Sequence, residues 1–123
     1  MKYLCLVYID ENVLDGLSEQ DFDALTDSAL ANDAALRRSG HYVHSNALQS
    51  VRTATSLRMH GGKLSVTDGP FAETKEHLGG YILIEAKDLA EAIDVAAKIP
   101  MVRIGTIEVR PIRDLSRGGA PAA

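Results

Sequence analysis

Residues Tyr3 to Ile9 are apolar at both odd and even positions, a pattern that a β-strand tolerates only when both of its faces meet other protein. The stretch is therefore expected as a central strand of a sheet. Asp10 to Gly16 is polar and reads as a loop. The segment after it carries a full set of helix signals: Ser18 can cap, Asp21 follows at the capping-box position, and Leu17 and Phe22 occupy the staple positions. Phe22, Leu25, Ala29 and Leu36 then recur at helical spacing, and Arg37-Arg38 before Gly40 suits a helix end, so a helix is predicted from Glu19 to about Ser39. Its acids Asp23, Asp27 and Asp33 read as a solvated face.

His41 to Leu48 follows as a second strand. Thr53 to His60 and Lys63 to Thr67 flank Gly61-Gly62, a two-residue connection suited to the primed turns of hairpins. Leu57 and Met59 alternate with Arg58 and His60, so one face of that hairpin is dry and the other wet. Gly79-Gly80 reads as a break, and Tyr81 to Ala86 as another buried strand. Asp88 with Glu91 caps a second helix whose stripe is Leu89, Ala92, Ile93, Ala96 and Ala97, and Pro100 ends it. Thr106 to Ile112 is the last strand. The order is a ferredoxin-like βαββαβ unit with an added β-hairpin between its halves.

Composition narrows the setting. The chain has 123 residues, 46% hydrophobic and 24% charged, which fits one domain over residues 1–113 followed by a flexible tail over 114–123. Its 17 acids against 13 bases leave a formal charge of −4, which gives no basic surface for direct nucleic-acid binding. The apolar N-terminal run is far shorter than the ~20 residues that span a bilayer, and it lacks a signal-peptide pattern. One cysteine, Cys5, excludes an intrachain disulfide and reads as a small buried hydrophobe. A cytoplasmic protein is expected.

The candidate chemistry gathers around Asp68-Gly69-Pro70-Phe71-Ala72-Glu73-Thr74-Lys75-Glu76. Proline at a first helical position would start a short turn, and helical spacing through it would set Glu73 and His77 on one side with Glu76 near. Two carboxylates and an imidazole in one concave spot are equipment for proton transfer. Asp68 is the candidate acid or base, with His44 or Glu73 assisting and Phe71 beside the substrate. The plain alternative is that Asp68 caps the turn, Pro70 and Phe71 pin it to the core, and the other charges are solvated. His44 shares a parity with Tyr42 and can point into a cleft; His41 and His44, three apart on a strand, face opposite ways and make a poor metal pair. In the last strand Glu108 and Arg110 share one parity, and Glu85 interrupts another apolar strand. If that parity faces an interior, Arg110 can hold a substrate carboxylate or phosphate beside Glu108. A cross-strand ion pair is the alternative.

Asp68 to Glu76, with Leu78-Gly79-Gly80-Tyr81 and Ile107-Glu108-Val109-Arg110-Pro111-Ile112, resembles the DGPF branch of the YCII-related proteins. The likeness runs from Met1-Lys2-Tyr3-Leu4 to about Ile112. It implies a ferredoxin-like subunit that forms a dimeric α+β barrel, and a genomic link to extracytoplasmic-function sigma factors. The doubly apolar first strand asks for a covering partner too, and a homodimer is the simplest supplier. The expected function is binding of a small polar molecule between the sheet and the Asp68-Gly69-Pro70-Phe71 loop, with cofactor-free acid-base chemistry. The alternatives are a non-catalytic regulatory partner linked to a sigma factor and a structural dimer module without ligand.

Overall fold

A computed structural model describes residues 1–116. The last seven positions of the expected tail, 117–123, lie outside the described residues. The strands and helices are β1 (Lys2–Ile9), α1 (Glu11–Asp15), α2 (Glu19–Ser39), β2 (Tyr42–Ala47), β3 (Thr55–His60), β4 (Lys63–Asp68), β5 (His77–Glu85), α3 (Leu89–Ala96) and β6 (Thr106–Pro111), with 3-10 turns at Val51–Thr53 and Pro100–Arg103. β2, β5, β1 and β6 lie side by side in that order as one antiparallel sheet, while β3 and β4 form a separate two-stranded ribbon. This is an α+β chain of ferredoxin-like topology, with the ribbon inserted between the second and third strands of the sheet.

β1 is central, between β5 and β6, and its side chains divide cleanly. Tyr3, Cys5, Val7 and Ile9 are buried under the helices, where Tyr3 and Cys5 join Ile82 and Ile84 of β5, Leu36 of α2, and Ala92, Val95, Ala96 and Ile99 around α3. Leu4, Leu6 and Tyr8 face the other way and are only half-buried. One face of the sheet is thus covered by helices and the other is open, as two helices in a four-stranded unit require. Full burial of one such side chain contributes about 1.5–3 kcal/mol, so the covered face supplies most of the chain's cohesion.

The caps form where the residues predict them. Ser18 Oγ accepts from the Asp21 amide at 3.0 Å, and Asp88 Oδ1 from the Glu91 amide at 2.9 Å, each satisfying a donor that the first helical turn leaves free. Gly61 and Gly62 both have positive φ, 56° and 79°, as a type I′ hairpin turn demands.

Three local expectations change. Asp10 to Gly16 is not a loop throughout: Asp10 accepts from the Asn12 amide and starts the short helix α1. Gly79-Gly80 does not break the chain but lies inside β5, where the register with β1 shifts between Val7 and Tyr8. A β-bulge accounts for the glycines, because a Cβ at position 80 would sit 2.8 Å from the Asn46 carbonyl oxygen of β2. Third, residues 69–76 form no helical turn. The chain passes through bends from β4 to β5, so helical spacing never brings Glu73 beside His77, and His77 instead opens β5 opposite Ile9.

Candidate functional site

A concave surface of the molecule lies under α2, and the motif loop does not line it. A cleft of about 730 Å³ opens between α1, α2 and the ends of β1, β2 and β5. Its walls are mainly apolar, with Leu14, Phe22, Leu25, Ala29, Ile82 and Met101 among them. Such a volume and such walls match the usual small-molecule site, in which a few polar groups fix orientation.

Those polar groups come from α2 and β2. Ser45 Oγ donates to Asp33 Oδ2 at 3.1 Å, and Tyr42 Oη lies 2.9 Å from Ser45 Oγ. A hydroxyl has one proton, so with Ser45 donating to Asp33 the Tyr42 phenol donates to Ser45. The chain Tyr42, Ser45, Asp33 holds one carboxylate oxygen and leaves the other as a free acceptor at the cleft. Beside it on α2, Asn32 Nδ2 is buried without any hydrogen-bond partner. A buried amide donor left unpaired costs about 1–3 kcal/mol, and this one belongs to a residue that lines the cleft.

The mouth is fastened by Glu11. Its Oε1 accepts from Ser50 Oγ at 2.6 Å and its Oε2 from the Val51 amide at 2.7 Å, tying α1 to the segment after β2. These bonds, first that from Ser50 and then that from Val51, hold the Glu11 carboxyl below the ordinary glutamate range. Arg52 and Asp15 add a loose exposed pair at 4.0 Å. Among the described residues no group of three or more histidine, cysteine, aspartate or glutamate side chains is placed to hold a metal ion.

The residues singled out from the sequence lie elsewhere. Asp68 ends β4 opposite Thr55 and is exposed; among the described residues its side chain makes no hydrogen bond, so it neither caps the turn nor contacts His44, Glu73 or Arg110. The base of the ribbon is closed by backbone instead, Gly69 N–H to the Ala54 carbonyl at 2.7 Å and Ser56 Oγ to the Gly69 carbonyl at 2.7 Å. Phe71 is 82% exposed and pins nothing, and Glu73 is exposed. Glu76 accepts from Thr106 Oγ1 at 2.8 Å.

His44, Glu108, Arg110 and Glu85 stand on the open face of the sheet. A register shift between Tyr42 and His44 sets Tyr42 opposite Ile84 on the covered side and His44 opposite Leu83 on the open one, so the expected shared parity is broken by a bulge. There His44 Nδ1 lies 2.8 Å from Tyr81 Oη, which also accepts from Asn46 Nδ2 at 3.1 Å. Glu108 and Arg110 face Leu6 and Leu4 across the β1–β6 register, both exposed and not ion-paired with each other. Glu85 pairs with the N-terminal ammonium at 3.7 Å. Neither the motif acids nor His44, Glu108 or Arg110 line the cleft.

What the sequence reading missed was Asn32, Asp33, Ser45 and Glu11. One signal was present: Asn32 falls at the vacant step of the stripe Phe22, Leu25, Ala29 and Leu36, a polar side chain where spacing asks for an apolar one. Asp33 is not simply solvated, since Ser45 holds it. Cys5 stays inert; burial pushes its thiol up to about 11.

The YCII-related domain model matches residues 1–116, the whole described chain. An uncharacterised protein of Rhizobium meliloti (strain 1021) is 33% identical over 124 residues, covering 99% of this chain and 100% of that protein. No helix among the described residues is long and apolar enough to cross a membrane. With the fold and both comparisons in agreement, the chain belongs to the YCII-related family.

Proposed function

We propose that this protein binds a small molecule with an apolar body and one hydrogen-bonding head in the cleft between α2 and the sheet. The observation that carries the reading is the buried, unpartnered Asn32 Nδ2 on the wall of a 730 Å³ apolar cleft. The head sits where Asn32 supplies a donor and Asp33 an acceptor. A carboxamide, lactam or similar group, with C=O and N–H side by side, complements both at once. Phe22, Leu25, Ala29 and Met101 receive the body, and the fixed Asp33 carboxylate disfavours an anionic head.

The reading moves the ligand away from the Asp68-Gly69-Pro70-Phe71 loop, and it is one of binding rather than acid-base catalysis. Among the described residues the Asp68 side chain takes part in no ion pair. The test is a thermal-shift and ligand-detected NMR screen with small apolar amides, anilides and lactams, run against their isosteric carboxylates. Neutral amides that stabilise the wild type should lose that effect in Asn32→Leu and in the cleft-filling variant Ala29→Phe, and keep it in Asp68→Asn. Hits that survive both cleft variants, or that vanish in Asp68→Asn, would return the site to the motif loop.

A further inference from the structure

The short helix α1 forms one lip of the cleft, yet little holds it there. Its main-chain hydrogen bonds, among them Val13 N–H to Asp10, Gly16 N–H to Asn12 and Leu17 N–H to Leu14, close within residues 10–17. None of its residues is fully buried, and it makes no substantial contact with any other element among the described residues. Asn12 and Val13 face water, while half-buried Glu11 and Leu14 turn to the cleft. The opposite lip is Gln49, Ser50 and Arg52. Apart from the loose Asp15–Arg52 pair, one side chain joins the two lips: Glu11, bonded to Ser50 Oγ and to the Val51 amide. Ser50 donates to Glu11 while its oxygen accepts from the Arg52 amide at 3.1 Å, and the Val51 N–H opens a 3-10 turn, where no carbonyl of that turn can receive it. Glu11 thus caps a turn that lies 40 residues further along the chain.

We infer that residues 10–17 are a hinged flap over the cleft and that Glu11 is its catch, so that a ligand enters and leaves when the bonds to Ser50 and Val51 let go together. The inference rests on the reading of the cleft as a binding site and concerns what controls access to it. Three features support it. First, the flap is self-contained, so it moves without breaking a sheet ladder or a turn of α2. Second, its far end is secured independently: Ser18 caps α2 through the Asp21 amide, and α2 keeps its first turn whether the flap is open or shut. Third, the catch is reversible. Both of its bonds are charge-assisted and therefore strong, but they sit at the mouth, where water replaces each partner on opening. With the flap shut, Leu14 lies over the apolar body of a ligand, and water is kept from the head group bonded to Asn32 and Asp33. The catch therefore sets how fast a ligand exchanges, while the cleft wall sets which ligand is held.

Amide hydrogen exchange without ligand tests the flap directly, in the wild type and in Glu11→Ala, with Ser50→Ala as a milder variant that removes one of the two bonds. In Glu11→Ala the amides of Val13, Gly16, Leu17 and Val51 should exchange faster together, by about tenfold or more, while the capped amides of Asp21 and Glu91 keep their wild-type rates. Faster exchange at Val51 alone would mean a lost cap with no moving flap, and would overturn the proposal. Access is tested by stopped-flow binding of N-(1-naphthyl)acetamide, a fluorescent neutral anilide. Glu11→Ala should raise its association and dissociation rates together by about tenfold, so that affinity changes much less than either rate. Joining Glu11→Cys to Ser50→Cys with a short bismaleimide, for which buried Cys5 offers little background, should block entry. Rates unchanged by either alteration, with binding still dependent on Asn32, would overturn the flap and leave the cleft reading standing. A wild type that binds none of the neutral amides overturns the cleft reading, while the ligand-free exchange pattern still accepts or rejects the flap.

Discussion

The two faces of the four-stranded sheet are built from the same strands and follow opposite rules. On the covered face Tyr3, Cys5, Ile82 and Ile84 are packed to 8% exposure or less, and among the described residues Asn32 and His77 are the side chains that leave a buried nitrogen unpaired. On the open face Leu4, Leu6, Tyr8 and Leu83 alternate with the same regularity but stay half-exposed, among Tyr81, His44, Glu108 and Arg110. Alternation along a strand fixes which residues share a face, yet it does not say what lies over that face. Among the described residues the helices cover one side, and the other stays half-exposed.

That contrast is sharpest in the adjacent pair Ile84 and Leu83. Ile84→Ala removes a fully buried side chain beneath both helices and should lower the unfolding free energy by about 2–5 kcal/mol at every protein concentration. Leu83→Ala should cost only about 1 kcal/mol in the dilute monomer, where the side chain is already half in water. Its deficit should grow with concentration if a second copy covers it, because the dimer then contributes to apparent stability. Urea melts of both variants at two concentrations decide the matter. Equal losses for the two would mean that the faces are not distinct.

A smaller effect probes the covered side at the cleft mouth. Glu11 is held below its ordinary range when folded and returns to that range on unfolding, so in the acid region the folded chain binds fewer protons than the unfolded one. Its contribution is complete above the unfolded value of about 4.5, and it is lost as pH falls through the lower folded value. Glu11→Gln should therefore flatten the acid side of the stability profile below about pH 4.5 while leaving the rest of the curve parallel. An unchanged acid slope would show that the clasp to Ser50 and Val51 is not maintained in solution. The smallest effect is expected at the motif. Asp68→Asn should shift stability by less than about 0.5 kcal/mol, since its exposed carboxylate has no partner to lose. A loss of a full capping interaction would contradict the placement of Asp68.

Most of the architecture could be read from the residues. Ser18 with Asp21, Asp88 with Glu91, and Gly61-Gly62 are local devices whose partners lie within a few positions, and they form as their chemistry dictates. The alternation in β3 sorted apolar and polar residues onto opposite faces, but the face expected to be dry is exposed, with Leu57 and Met59 each 65% exposed, because no other element of the described residues packs over it. The candidate site was far less legible. Asp68 to Glu76 stood out because its residue types are unusual for packing, but distinctive composition carries no information about concavity. The cleft is made by residues that look ordinary in line: Asn32 in the middle of a helix, Ser45 on a strand, Glu11 in a polar stretch.

The sequence by itself determined most of the elements, the helix caps, the hairpin turn, the order that yields this sheet and the parity of the strands free of bulges such as β6, because those follow from interactions between near neighbours and from the fixed periods of helix and strand. Only the tertiary structure decided the rest. The bulges in β2 and β5 moved His44 to the open face and fitted Gly79-Gly80 inside a strand. The docking of α2 turned Asn32 and Asp33 into the wall of a cleft, with Ser45 across from them. The ribbon's apolar face was left without a cover among the described residues. Each of these depends on groups separated by many residues meeting in space, and no local period encodes which partner a side chain will find.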